Sequence, residues 1–85
     1  MAAYDELRLR ILEGKSDANI SFDDLRHLLH WLGFEERTRG SHHIFRRTGV
    51  RELLNLQRDG SKAKVYQVRQ VRNVVVRYGL VGPKE

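Results

Sequence analysis

Apolar residues recur at helical spacing in three stretches of the chain, and alternate with polar ones between the second and third. The cleanest helix begins at Ser21, an N-cap followed three residues later by Asp24 in an acidic variant of the capping box. Phe22, Leu25, Leu28, Leu29 and Leu32 form one stripe, and Gly33 is the stop. Upstream, residues 3–13 form a shorter amphipathic helix with Tyr4, Leu7 and Ile11 on one face and Gly14 at its end. Leu9 and Leu12 lie off that stripe, which leaves room for a second covered side. Lys15 to Ile20 reads as a polar connector. In the last stretch Val74-Val75-Val76 would suit a strand. Yet Val68, Val71, Val75 and Tyr78 recur at helical spacing, with Gln67, Arg69, Gln70, Arg72, Asn73 and Arg77 on the other side. Length and period favour a helix over Val65 to Tyr78, ended by Gly79, with a tail at 81–85 expected to fray.

Between these helices the period shortens to two. Phe34 to Arg39 reads as a strand, Gly40-Ser41 as a tight turn, and the residues through Arg47 as a second strand. After Thr48-Gly49 a third strand, Arg51 to Gln57, carries Leu54 and Leu56 on one face; Arg58-Asp59-Gly60-Ser61 is a loop. Ile44 and Phe45 fall on opposite faces of the second strand, so one of them belongs to the core. Short strands joined by such turns make an antiparallel meander, one face of which two helices can cover. The expected fold is α+β, an αβββα core over 21–80 with an extra N-terminal helix and connector at 1–20.

Eighty-five residues make one small domain, 1–85, with a single core. No cysteine is present, so neither a disulfide framework nor a thiolate metal site enters the reading. No apolar run approaches a membrane span, and Met1-Ala2-Ala3-Tyr4-Asp5-Glu6 turns acidic too early for a signal peptide. A cytoplasmic protein is expected, with no membrane partner. The net charge of +5 is unevenly placed. Residues 1–36 hold four Lys/Arg against eight Asp/Glu, whereas residues 37–85 hold twelve against three. A positive half that is structured points to nucleic acid as partner.

Chemistry concentrates in Arg39-Gly40-Ser41-His42-His43-Ile44-Phe45-Arg46-Arg47. A histidine at the end of a strand is held yet reachable, its imidazole exchanges protons near neutral pH, and neighbouring arginines attract phosphate. His27 and His30 have the spacing of a metal pair without a third ligand nearby, and read as surface residues. Asp and Glu are sparse in the basic half, so no metal site and no cofactor are expected. Trp31, off the core stripe, either packs under the first helix or marks a protein contact.

The αβββα order, with Ser61-Lys62-Ala63-Lys64 entering the last helix, resembles the double-stranded RNA-binding domain. A closer resemblance is to the HicA family of messenger-RNA-cleaving toxins, which uses that fold. It is carried by Leu32-Gly33-Phe34, a short basic stretch, Gly40-Ser41-His42-His43-Ile44-Phe45, and Val71-Arg72-Asn73 to Tyr78-Gly79-Leu80, across residues 21–80. Many relatives have a Pro and a His at the end of the third strand and a Pro-Gly entering the last helix. This chain has Leu56-Gln57-Arg58 and Lys64-Val65-Tyr66 in those regions.

The resemblance implies a ribosome-independent endoribonuclease with His42 as its catalytic residue, neutralised by a HicB-type antitoxin. Its RNA contacts would come from Arg39, Ser41, His43, Arg46, Lys62 and Lys64. RNA supplies its own nucleophile, the 2′-hydroxyl, so neutral His42 would serve as general base without a metal. Strand alternation sends His43 to the face opposite His42, and a lysine or water could protonate the leaving oxygen instead. The competing readings are a non-catalytic RNA- or DNA-binding module of the same fold, and an adaptor using Trp31 and the acidic first half.

Overall fold

The computed structural model describes residues 3–58 and 60–83; Met1, Ala2, Asp59, Lys84 and Glu85 lie outside the described residues. The signal-peptide reading rests partly on Met1 and Ala2, the loop on Asp59 and the tail on its last two residues. The chain runs α1 (Ala3–Glu13), a 3-10 turn (Asp17–Asn19), α2 (Phe22–Trp31), β1 (Glu35–Arg39), β2 (His42–Arg46), β3 (Leu54–Gln57) and α3 (Val65–Tyr78). The strands form an antiparallel sheet in the order β1-β2-β3.

The α2 stripe behaves as its spacing requires. Ser21 Oγ accepts a hydrogen bond from the Asp24 N–H at 3.2 Å, and Phe22, Leu25, Leu28, Leu29 and Leu32 are all buried. They meet Phe45, Leu54 and Leu56 from the sheet and Val68, Val71, Val74 and Val75 from α3 in one hydrophobic cluster. Phe45 is therefore the core member of the Ile44/Phe45 pair, while Ile44 lies on the outer face, partly covered. The connector after α1 is less detached than its polarity suggests. Ile20 is buried, and its carbonyl accepts from the Ala63 N–H at 2.8 Å, while the Ser61 carbonyl accepts from the Phe22 N–H at 2.9 Å. The entry to α2 is thereby bonded to the entry to α3.

Three expectations shift. The third strand begins at Leu54 instead of Arg51, because Tyr78 holds the preceding segment. Its hydroxyl donates to Glu52 Oε1 at 2.5 Å and accepts from the Arg51 N–H at 3.3 Å, drawing that backbone toward α3. Gln67, placed on the polar side of α3 by periodicity, is fully buried, its amide donating to the Gln57 carbonyl at 3.1 Å. In the tail, Gly82 lies against Trp31, where a Cβ would fall inside the ring, while Val81 beside it is exposed. Trp31 also meets Tyr4 of α1 at a ring separation of 6.1 Å, so it packs within the molecule. Of the two off-stripe leucines in α1, Leu12 packs on the core and Leu9 is exposed.

Candidate functional site

The β1–β2 hairpin closes through Gly40-Ser41, with Arg39 paired to His42. Gly40 has φ +57°, the positive value that a two-residue hairpin connection requires at its first position. Once this register is set, alternation decides the rest. His43 and Phe45 face the helices with Leu56 and Leu54; His42, Ile44 and Arg46 face outward with Asn55 and Gln57 of β3 and Arg37 and Arg39 of β1. His42, Arg37, Arg39, Arg46 and Asn55 are all exposed.

His42 sits on the central strand between Arg39 on one side and Gln57 on the other. Directly opposed residues of an antiparallel pair have Cβ atoms ~5 Å apart, which places an arginine within reach of any group bound at the imidazole. The His42 Nδ1 lies 3.2 Å from Asn55 Oδ1. Gln57 donates from Nε2 to Ser41 Oγ at 3.2 Å, and the Ser41 carbonyl accepts from the Arg58 N–H at 3.3 Å. The turn bearing Ser41 is thus bonded to the end of β3 on both side-chain and backbone levels.

The remaining sequence candidates divide. Arg46 shares the outer face but lies four residues along β2, ~13 Å at the usual strand rise, opposite Glu35. Lys62 is exposed and forms an isolated bridge with Ser21, while Lys64 is the N-cap residue of α3 with its ammonium 6.0 Å from the Tyr66 ring centroid. Their loop leaves from the His42 end of the sheet, since Gln57 pairs with His42. His43 goes elsewhere. Its side chain is 12% exposed, its Nδ1 bonds Glu36 Oε2, and its ring stands edge-on to Phe22 at 5.2 Å. It is not brought together with His42, Arg39 and Arg46 on the outer face. His30, read as a surface residue, also bonds Glu36, at 2.7 Å, and stands edge-on to Phe45. His27 is exposed on α2.

Asn55 and Arg37 are the site residues that sequence reading passed over. Asn55 alternates with buried Leu54 and Leu56, so its outward direction was available; its place beside His42 depends on the register between strands. Among the described residues no group of three or more His, Cys, Asp or Glu side chains is arranged to hold a metal ion, and no helix is long and apolar enough to cross a membrane. Compared with protein-family models, curated proteins and solved structures, the chain matches none.

Proposed function

We propose that this chain is a metal-independent endoribonuclease of the HicA type, built on a double-stranded RNA-binding-domain-like fold and acting on messenger RNA in the cytoplasm. The observation that carries this reading is the setting of His42, exposed on the open face of the sheet with Arg39 directly across from it. The Gly40-Ser41-His42-His43-Ile44-Phe45 motif supports it independently.

Neutral His42 removes the proton of a ribose 2′-hydroxyl. The oxygen attacks the adjacent phosphorus, and the bond to the 5′-oxygen breaks as that oxygen takes a proton from a lysine or water. The products carry a 2′,3′-cyclic phosphate and a 5′-hydroxyl. Arg39 stabilises the charge gathering on the phosphate, and Ser41, Lys62 and Lys64 contact the RNA where its backbone leaves the site. Arg46 engages the chain further along the sheet. His43 acts from inside, holding β2 to Glu36 instead of touching RNA. A HicB-type antitoxin would silence the protein by covering the outer face, where Leu53 is 60% exposed and Ile44 lies among the arginines.

The test is cleavage of an end-labelled messenger RNA in EDTA by the parent protein and by a folded His42→Ala variant. Cyclic-phosphate products from the parent, with a loss of about 10²–10⁴-fold in the variant, are expected for a general base. Products ending in 3′-hydroxyls, or cleavage abolished by EDTA, would overturn the mechanism. RNA binding without cleavage would instead identify a non-catalytic module.

A further inference from the structure

The contact between His42 and Asn55 goes beyond holding the ring in place, because it distinguishes the two imidazole nitrogens. An amide oxygen has lone pairs and no hydrogen, so it can only accept. With Oδ1 the amide atom 3.2 Å from His42 Nδ1, the bond forms when Nδ1 carries the hydrogen and donates it. The remaining nitrogen, Nε2, is then left with a lone pair. A neutral histidine free of such a bond prefers the reverse arrangement, with its hydrogen on Nε2. An Asn55 oxygen at that distance therefore favours the Nδ1–H tautomer, as for histidines generally when one nitrogen is engaged.

We infer that Asn55 is the positioning residue of the site, fixing His42 as the Nδ1–H tautomer and thereby making Nε2 the nitrogen that takes the proton. The inference rests on the reading of His42 as a general base. Three features of the fold give Asn55 this place. Its flanking residues Leu54 and Leu56 are buried, which turns its side chain to the outer face. The β2–β3 register pairs it with Ile44, setting it diagonally from His42 rather than directly across. The position opposite His42 goes to Gln57, whose amide is engaged with Ser41. The two carboxamides of β3 thus divide their work: Gln57 bonds the turn and Asn55 bonds the imidazole. Aspartate at 55 would preserve an acceptor for Nδ1–H while adding a charge that favours the imidazolium. Alanine removes the acceptor altogether.

The tautomer is read directly from imidazole nitrogen chemical shifts of 15N-labelled protein at alkaline pH, where imidazoles are neutral. Binding and cleavage of an RNA oligonucleotide are measured on the same preparations. The parent is expected to show the Nδ1–H form, Asn55→Asp to retain it, and Asn55→Ala to move toward Nε2–H. In cleavage, Asn55→Ala should lose about 10–100-fold in kcat with little change in KM, the range typical of groups that orient a metal-bound histidine through its second nitrogen. Asn55→Asp should recover most of that loss, with the acid limb of its pH–rate profile moved to higher pH. An Nε2–H tautomer in the parent, or the same tautomer in parent and Asn55→Ala, overturns the inference even if the parent cleaves RNA. A parent that shows the Nδ1–H form dependent on Asn55 but fails to cleave overturns the nuclease reading and upholds the hold of Asn55 on the ring. Asn55 is exposed, so these substitutions leave the core untouched.

Discussion

Among the described residues, Glu36 bonds more side-chain partners than any other carboxylate, joining Arg26, His30 and His43. Its side chain is 7% exposed and accepts from Arg26 Nε at 2.9 Å and Nη2 at 3.1 Å, and it is also bonded by His30 at 2.7 Å and His43 at 2.5 Å. One residue of β1 thereby connects α2 to β2, the strand that carries His42. Burial opposes ionisation, but the bonds from Arg26, His30 and His43 outweigh it and bring the carboxyl down from 4.5 to about 2. A depressed carboxyl contributes stability that is present above its unfolded value and lost as pH falls through its folded one. The parent should therefore lose stability between pH 4.5 and about 2, and Glu36→Gln should show a shallower loss across the same window in urea titrations. Near neutral pH that variant should be less stable by about 3 kcal/mol, the lower end for breaking a buried charge pair, since Arg26 also bonds Asp23. Equal stability of the two proteins at neutral pH would refute this account.

Among the elements, α1 is tied to α3 by a single arginine. Its only fully buried residue is Ile11, and Leu7 and Leu12 are partly covered. Arg72 of α3 reaches across, donating from Nη1 to the Ile11 carbonyl at 3.1 Å and to Asp17 at 2.9 and 3.0 Å. These bonds tie the end of α1 and the 3-10 turn to the last helix. Charged hydrogen bonds of this kind are worth about 1.5–3 kcal/mol, so Arg72→Met should destabilise by roughly 2 kcal/mol. Native-state hydrogen exchange should show protection falling first at residues 3–13, with α2 and the sheet less affected. Uniform loss across the chain would mean that Arg72 supports the core as a whole. The span of α3 is legible in its valine spacing, whereas Gln67 and Arg72 are not assignable from that spacing. Both sit on what periodicity reads as the polar side, and each is drawn inward by a partner distant in sequence, the Gln57 carbonyl or Asp17.

Across the whole molecule, the separation of charge along the chain does not become a simple separation in space. Part of the basic half is engaged by the acidic half: Arg58 with Asp23, and Arg72 with Asp17. Arg77 pairs with Glu52 within the basic half. Arg37, Arg39 and Arg46 lie on the exposed sheet face instead. If that face binds RNA, Arg37→Ala and Arg39→Ala should each make the slope of log affinity against log salt shallower by roughly 0.7, the value for one phosphate contact on a single strand. Arg72→Met should leave the slope unchanged in folded protein. Equal slopes for all three variants would place the RNA on another surface.

The sequence by itself determined the helices, because each has an apolar stripe at helical period and a glycine to end it, and it determined the hairpin, because Gly40 supplies the backbone angle its turn needs. Alternation also sufficed to part His42 from His43. Tertiary structure alone decided which of the two faced inward, since period two separates faces without naming the buried one. It also decided that His43 and His30 would share Glu36, and that Asn55 would stand beside His42. Those relations depend on strand register and on helices arriving from distant parts of the chain, and no local pattern records them.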